Sequence, residues 1–303
     1  MLVSARPAWR YVMPQVGRPL ILLFFYSVGV SLLVRGGYLV AFVSMPELPL
    51  SMMGAALGIF LGFRTNSAYD RWWEARMLWG QLVNQSRSLV RQAASFTRAY
   101  PDHGAADRWV ETVAATQIGF VHALRSHLRR EDVIETLRSY VDESMRLSLA
   151  SATNVPVTFL HRLGLLIGEA AAGKMIDGFH LQRLDETVSA LTDVQGGCER
   201  IKNTPLPRQY DLFPEVFTYV YCALLPVGLV ERMGLATAPL VVLVAFVFLA
   251  TNRIGRNIEN PFEGSPHDTP MTALSTMIER ELRQTLNQAD IPQPAQVQGG
   301  ILM

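Results

Sequence analysis

Four stretches of the chain carry no charge and are dense in apolar residues: Pro19 to Val34, Leu48 to Phe63, Val216 to Val230 and Met233 to Asn252. A helix needs about 20 mostly apolar residues to cross a bilayer. The fourth stretch, twenty residues long, meets that requirement outright. The other three fall slightly short and can span if flanking side chains snorkel or neighbouring helices shield them. Buried helices of a soluble protein are the alternative, and four such runs arranged in two pairs argue against it. The first run extends past the length of a signal-peptide core and has no small-x-small cleavage site after it, so it reads as a retained span.

Charge sets the orientation. Arg6, Arg10 and Arg18 precede the first run, and Arg253 and Arg256 follow the fourth. The short links carry only Arg35 with Glu47, and Glu231 with Arg232. Positive residues stay on the cytoplasmic side, which puts both termini and the long middle segment in the cytoplasm. Composition fits a membrane protein: 50% apolar and only 17% charged residues, with a net charge of +1. That balance argues against a nucleic-acid partner, which needs a basic surplus. Two cysteines in 303 residues exclude a disulfide scaffold and argue against structural zinc.

The middle segment, Arg64 to Glu215, reads as helix. Trp72, Trp73, Leu78, Trp79, Leu82, Val83, Leu89 and Val90 alternate with polar positions through an amphipathic stretch from Tyr69 to Tyr100. Pro101 to Gly104 breaks it. Further helices are expected over Ala106–Leu128, Glu131–Leu149, Val157–Lys174 and Asp177–Ile201, with Gly196-Gly197 weakening the last. Asn203 to Pro207 forms an extended link, and one more amphipathic helix follows Pro270 to about Gln288. No strand alternation occurs, so the fold class is all-α. The expected organisation is an N-terminal segment with two membrane helices (1–63), a cytosolic helical region (64–212), two further membrane helices (213–252) and a cytosolic C-terminal segment (253–290). The tail 291–303 is expected to be disordered.

The chain offers no phosphate loop, dinucleotide fingerprint or paired-histidine zinc signature. Its six histidines are scattered, and His122 and His127 are five apart, off a common helical face. Neither an enzyme, a cofactor nor a metal site is expected. One feature stands out instead. Gly54, Gly58 and Gly62 recur every four residues beside a parallel row of Ala55, Ile59 and Phe63. Such rows pack helices closely, or one packs while the other lines a pore that gates by dewetting.

The sequence GFRTNSAYDRWWEAR (Gly62 to Arg76) resembles the signature after the second membrane helix of the bestrophins, especially their bacterial branch. GCERIKNTPLPRQYDLF before the third run, Asn260-Pro261-Phe262 after the fourth, and the order of two spans, helical insert and two spans resemble the family too. The resemblance covers roughly residues 5 to 285. It implies a homopentamer around one axial pore, four transmembrane helices per subunit, in a bacterial inner membrane, passing small monovalent ions. The family's hydrophobic neck falls on Ala55, Ile59 and Phe63, counted back from Arg71-Trp72-Trp73, with the first tier unusually small. Its cytosolic constriction falls on Phe179, with Ile176 as the competing position. Arg71, Trp72 and Trp73 are implied to anchor the pore helix, the guanidinium on a carboxylate or carbonyl.

Animal members clasp calcium with an acidic run after Asn-Pro-Phe. Here only Glu263 and Asp268 follow it, too few for an ion that takes six to eight oxygens, so no calcium site is expected. For selectivity, rings of Asp70, Glu74 and Asp177 would favour cations, as bacterial members are thought to. Arg64 and the chloride channels of animals point the other way, and the carboxylates could instead pair with Lys174, Arg71 or Arg76. The balance leans slightly to cations. The alternatives are an anion channel of the same fold and a non-conducting membrane scaffold. A transporter fits less well, for want of an internal repeat with broken helices.

Overall fold

The computed structural model describes residues 9–38, 49–141, 146, 149–297 and 300–302. Arg6, Glu47 and most of 142–148 lie outside the described residues. The architecture is helical: α1 (Trp9–Arg35), α2 (Leu50–Phe96), α3 (His103–Arg129), α4 (Val133–Thr136), α5 (Val155–Ala172), α6 (Gly178–Asn203), α7 (Arg208–Met233), α8 (Thr237–Glu259) and α9 (Met271–Thr285). No extended strand occurs among the described residues. The chain divides into two compact units, one made of Ala5–Arg71 with Pro205–Asn260, the other chiefly of Trp72–Thr204 with Pro261–Met303.

The first unit holds α1, the opening of α2, α7 and α8. Its prolines, Pro14 and Pro19 in α1 and Pro214 and Pro226 in α7, sit inside helices. Each lacks a donor to the preceding turn, and Thr218 Oγ1 takes up the Pro214 carbonyl at 2.6 Å. Ser27 and Ser31 return their hydroxyls to carbonyls four residues back, at 2.7 and 2.8 Å. Hydroxyls satisfied within their own helix suit an environment without water. Two small apolar clusters hold the unit together. Val12, Val16 and Leu20 pack on Cys222, Ala245 and Leu249, and Leu57 and Leu61 pack on Tyr221, Leu225 and Val241.

Among the described residues, three segments are long and apolar enough to cross a membrane: Val12–Arg35, Val155–Ala172 and the 52-residue Arg208–Glu259, which spans α7 and α8. The second expected run is not among them. The apolar opening of α2, Leu50 to Phe63, covers about 21 Å at 1.5 Å per residue, short of a bilayer core. The sequence leads one to expect a helix over Val157–Lys174 within the cytosolic region. In the structure Phe159, Leu163, Leu166 and Ile167 of this helix join the core of the second unit.

That second unit has a much larger core. Trp79, Leu82, Leu89, Phe120, Leu124, Leu163, Leu191, Ile278 and Leu282 form one buried cluster drawn from α2, α3, α5, α6 and α9. Its helices start on side-chain caps. Asp102 accepts from Ala105 N at 2.9 Å, Asn154 from Val157 N at 3.2 Å and Asp177 from His180 N at 2.8 Å. Each cap satisfies an amide that the first helical turn leaves open. Of the helix expected over Glu131–Leu149, the described residues show a single turn, α4, capped by Asp132, then a 3₁₀ turn at Leu137–Ser139, with Arg146 and Leu149 helical again. Just past this turn the Tyr140 hydroxyl donates to Glu279 on α9, 3.0 Å away. The weakening expected at Gly196-Gly197 does not occur, and α6 continues to Asn203. A Cβ on Gly197 would stand 2.9 Å from Leu78, so the glycine lets α6 approach α2 closely.

Candidate functional site

The opening of α2 has two unlike faces. Leu57, Leu61, Arg64 and Ala68 are buried at helical spacing, the pattern of a face turned into its own unit. Ala55, Ile59 and Phe63 lie on the other side and are uncovered, with Ile59 60% and Phe63 64% exposed. The parallel glycine row divides. Gly54 accommodates Tyr221, whose hydroxyl would stand 2.7 Å from an added Cβ, whereas Gly58 and Gly62 face open space.

Arg64, one residue past Phe63, is not a free positive charge beside this row. It is 0% exposed. Its Nη1 donates to the carbonyl and the side-chain oxygen of Asn252, both at 3.1 Å, and its Nη2 to Glu259 Oε2 at 2.9 Å. Its charge is paired with Glu259, which weakens the expectation that Arg64 favours anions. Arg71 donates from Nε to the Glu259 carbonyl at 3.1 Å. Asn260 ends α8 in an extended conformation that a helix cannot continue.

In the second unit, Trp72 Nε1 donates to the His267 carbonyl at 2.9 Å, and the Trp72 and Trp73 rings lie 6.4 Å apart, tilted by 34°. Pro261 and Phe262 are buried. The Pro261 carbonyl accepts from Thr269 N at 3.1 Å, closing the loop that follows Asn-Pro-Phe. Both carboxylates of that loop are engaged. Glu263 takes Lys202 Nζ at 2.8 Å, and Asp268 takes Ser265 N at 3.0 Å together with the Ser265 hydroxyl. Among the described residues no cluster of three or more His, Cys, Asp or Glu could hold a metal ion.

The carboxylates proposed for selectivity differ in circumstance. Glu74 is paired with Arg200 of α6, rather than with Lys174, Arg71 or Arg76. Asp177 caps α6 and also meets His180 Nδ1 at 3.1 Å. Asp70 is exposed, and Asn66 Nδ2 donates to it at 3.5 Å. Of the two constriction candidates, Ile176 is 5% exposed and belongs to the core, while Phe179 presents its ring outward, 83% exposed.

One cluster escaped the sequence reading. Glu279 of α9 is buried and accepts from His122 Nε2 at 2.8 Å, the Tyr140 hydroxyl at 3.0 Å and Arg283 Nε at 2.9 Å. Arg125 Nη1 reaches His122 Nδ1 at 3.3 Å. A guanidinium can only donate, so Nδ1 accepts and Nε2–H points at the carboxylate. Burial works against the Glu279 charge, but the bonds from His122, Tyr140 and Arg283 outweigh it and hold the carboxyl below its usual range. Burial, aided by Glu279, pushes the Tyr140 phenol up to about 12. Burial lowers Arg125, with Glu131 partly opposing, and raises the Cys198 thiol to about 12, which leaves it inert. Three donors surround this one carboxylate, and Arg125 holds the histidine from its other side. The signal lay in a glutamate 157 residues from its histidine, which no local spacing reveals.

Helices that bare apolar side chains, joined to a unit with its own polar-capped core, define the class as a helical membrane protein. The chain belongs to the bestrophin family: the bacterial and fungal bestrophin model matches residues 7–284. It is 35% identical over 296 residues to a voltage-dependent anion channel-forming protein of Ralstonia nicotianae, covering 97% of this chain and 95% of that one. A protein of the same description from Escherichia coli K12 is 33% identical over 286 residues, 93% and 90% of the two chains. The crystal structure of a bacterial bestrophin homologue from Klebsiella pneumoniae superposes with a TM-score of 0.81 at 28% identity, covering 89% of this chain and 98% of that one.

Proposed function

We propose that the chain is the pore-forming subunit of a homopentameric, bestrophin-type ion channel in a bacterial inner membrane. Each subunit passes the bilayer four times with both termini in the cytoplasm, and small monovalent ions move passively past rings of Ala55, Ile59 and Phe63. The observation that carries this reading is the uncovered Ile59–Phe63 row on a helix whose opposite face is buried. Large apolar side chains left open by one subunit need a cover, and five copies around an axis would turn the row into stacked apolar rings. Such rings carry no charge and gate by dewetting. Phe179, equally bare, is the corresponding candidate at the cytosolic constriction.

The names of the relatives favour anions as the permeant ions. Two of the three carboxylates that favoured cations have partners in Arg200 and His180. Asp70, exposed, supports the second reading, a slight preference for cations. Currents through the purified protein in a planar bilayer test the proposal. A pentameric mass in detergent with ion currents supports it, and a stable monomer or a current-free pentamer would favour the scaffold alternative. In a KCl gradient, a reversal potential shifted towards that of chloride supports anions, and a shift towards that of potassium supports cations.

A further inference from the structure

The geometry points to Arg64 as a positioning residue: with Asn252, Gly255 and Glu259 of α8 it fixes the rotation of α2, so that Ile59 and Phe63 stay on the uncovered side. This rests on the pore reading above, and the labelling below is separable from it. Arg64 and Arg71 are seven residues apart on α2, and so are Asn252 and Glu259 on α8. Seven residues are two helical turns, about 10.5 Å, and both residues of each pair therefore lie on one face. Arg64 grips α8 at both levels, through the Asn252 oxygens at 3.1 Å and the Glu259 carboxylate at 2.9 Å. Arg71 adds a bond to the Glu259 carbonyl at 3.1 Å. Contacts two turns apart resist rotation about the helix axis, which a single contact cannot.

A guanidinium is suited to this place. Its planar fork serves several oxygens at once, and it stays charged when buried. The slot it occupies is shaped by Gly255, where a Cβ would stand 3.0 Å from Arg64 Nη1 and 3.2 Å from Thr65 Oγ1. Burial of an ion pair is costly unless its geometry is good, and loss of one partner is costlier still. Here the pair sits one residue past the last apolar tier, so a misaligned α2 would leave Glu259 unmatched. The charge thus acts on the neck through the angle of the helix rather than through the field in the pore.

The test uses cysteines placed one at a time at Leu57, Ile59, Leu61 and Phe63 in the full-length protein, in liposomes. A membrane-impermeant thiol reagent is applied, and labelling is read by mass while current is recorded. The native Cys198 and Cys222 are buried and give a low background. Ile59→Cys and Phe63→Cys should react at least about tenfold faster than Leu57→Cys and Leu61→Cys, equivalent to about 1.4 kcal/mol of opening free energy. In an Arg64→Met background that contrast should fall by several-fold, and in Arg64→Lys it should be partly restored. Gly255→Ala, which displaces the same guanidinium by one methyl group, should lower the contrast too and carries the test if Arg64→Met does not assemble. An undiminished contrast in assembled Arg64→Met or Gly255→Ala channels would reduce Arg64 to a stabilising residue and overturn the inference. If Phe63→Cys and Ile59→Cys react without altering the current, the pore reading fails separately, and the labelling ratio still decides whether Arg64 sets the angle.

Discussion

The two units of this chain solve the burial problem in opposite ways. The unit of α3, α5, α6 and α9 gathers Trp79, Phe120, Leu124, Leu163 and Leu191 into one core and surrounds its buried Glu279 with the donors of His122, Tyr140 and Arg283. The unit of α1, α7 and α8 has only two small clusters and leaves Ile21, Leu22, Phe25, Ile59, Phe60, Phe63, Phe217, Leu243 and Val247 bare. In water such a surface would be an aggregation liability. In a bilayer it is the proper boundary, because lipid covers it without loss. The lesson is that one unit carries its core within itself, while the other leaves its apolar surface for lipid and, on the proposed reading, for further copies of the chain. Substitutions should therefore separate the two, with folding lost in one and flux changed in the other.

The largest effect is expected in the packed unit. Phe120→Ala removes a fully buried ring and should cost about 3–5 kcal/mol, read as a fall in the thermal midpoint of the purified protein. A change of under 1 kcal/mol would mean that this core collapses around the cavity and is less tightly packed than it looks.

Glu279→Ala comes next. It leaves three donors facing one another without their acceptor and should cost about 3 kcal/mol. The same group gives a pH dependence. Because the folded-state pKa of Glu279 is depressed below its ordinary 4.5, its contribution is fully present above that pH and is lost as the pH falls through the depressed value. The midpoint of the parent protein should thus drop faster below pH 4.5 than that of the alanine variant. Parallel curves would place the acid-labile groups elsewhere.

In the other unit the sign is reversed. Ile59→Ala should leave the unfolding free energy within about 0.5 kcal/mol of the parent, because the side chain is bare within its own subunit, and should ease wetting of the neck and raise the flux. A large loss of stability with no gain in current would assign it to packing. Smallest of all are the exposed pairs and the loop after Phe262. Arg183→Ala removes a surface partner of Glu186, 2.8 Å away, and should shift stability by no more than about 0.5 kcal/mol. Micromolar calcium should leave the currents unchanged, since Glu263 and Asp268 are already engaged.

The contrast between the units was partly legible in the sequence. Charge-free runs marked α1, α7, α8 and the opening of α2, and the amphipathic stretch from Tyr69 marked its continuation. The caps at Asp102, Asn154 and Asp177 fall at breaks or helix starts that the sequence shows, although their capping role was not drawn from it. What escaped was long-range pairing. Arg64 meets Glu259 across 195 residues and His122 meets Glu279 across 157, so neither partnership leaves a local spacing. The 3₁₀ turn within Glu131–Leu149 is equally silent in the sequence, and beside it Tyr140 bonds to Glu279 of α9, 139 residues away. Within the candidate site, the rows on α2 could be drawn from periodicity, but which row was covered depended on α7 and α8.

The most direct measurement is single-channel recording of the parent protein and Phe63→Ala in planar bilayers, with pentameric assembly checked on the same preparation. The expected result is an ion current from the parent and a larger one from Phe63→Ala, as the bare ring at the end of the neck is removed. An assembled Phe63→Ala channel with equal or smaller current would contradict the assignment of this row to the pore.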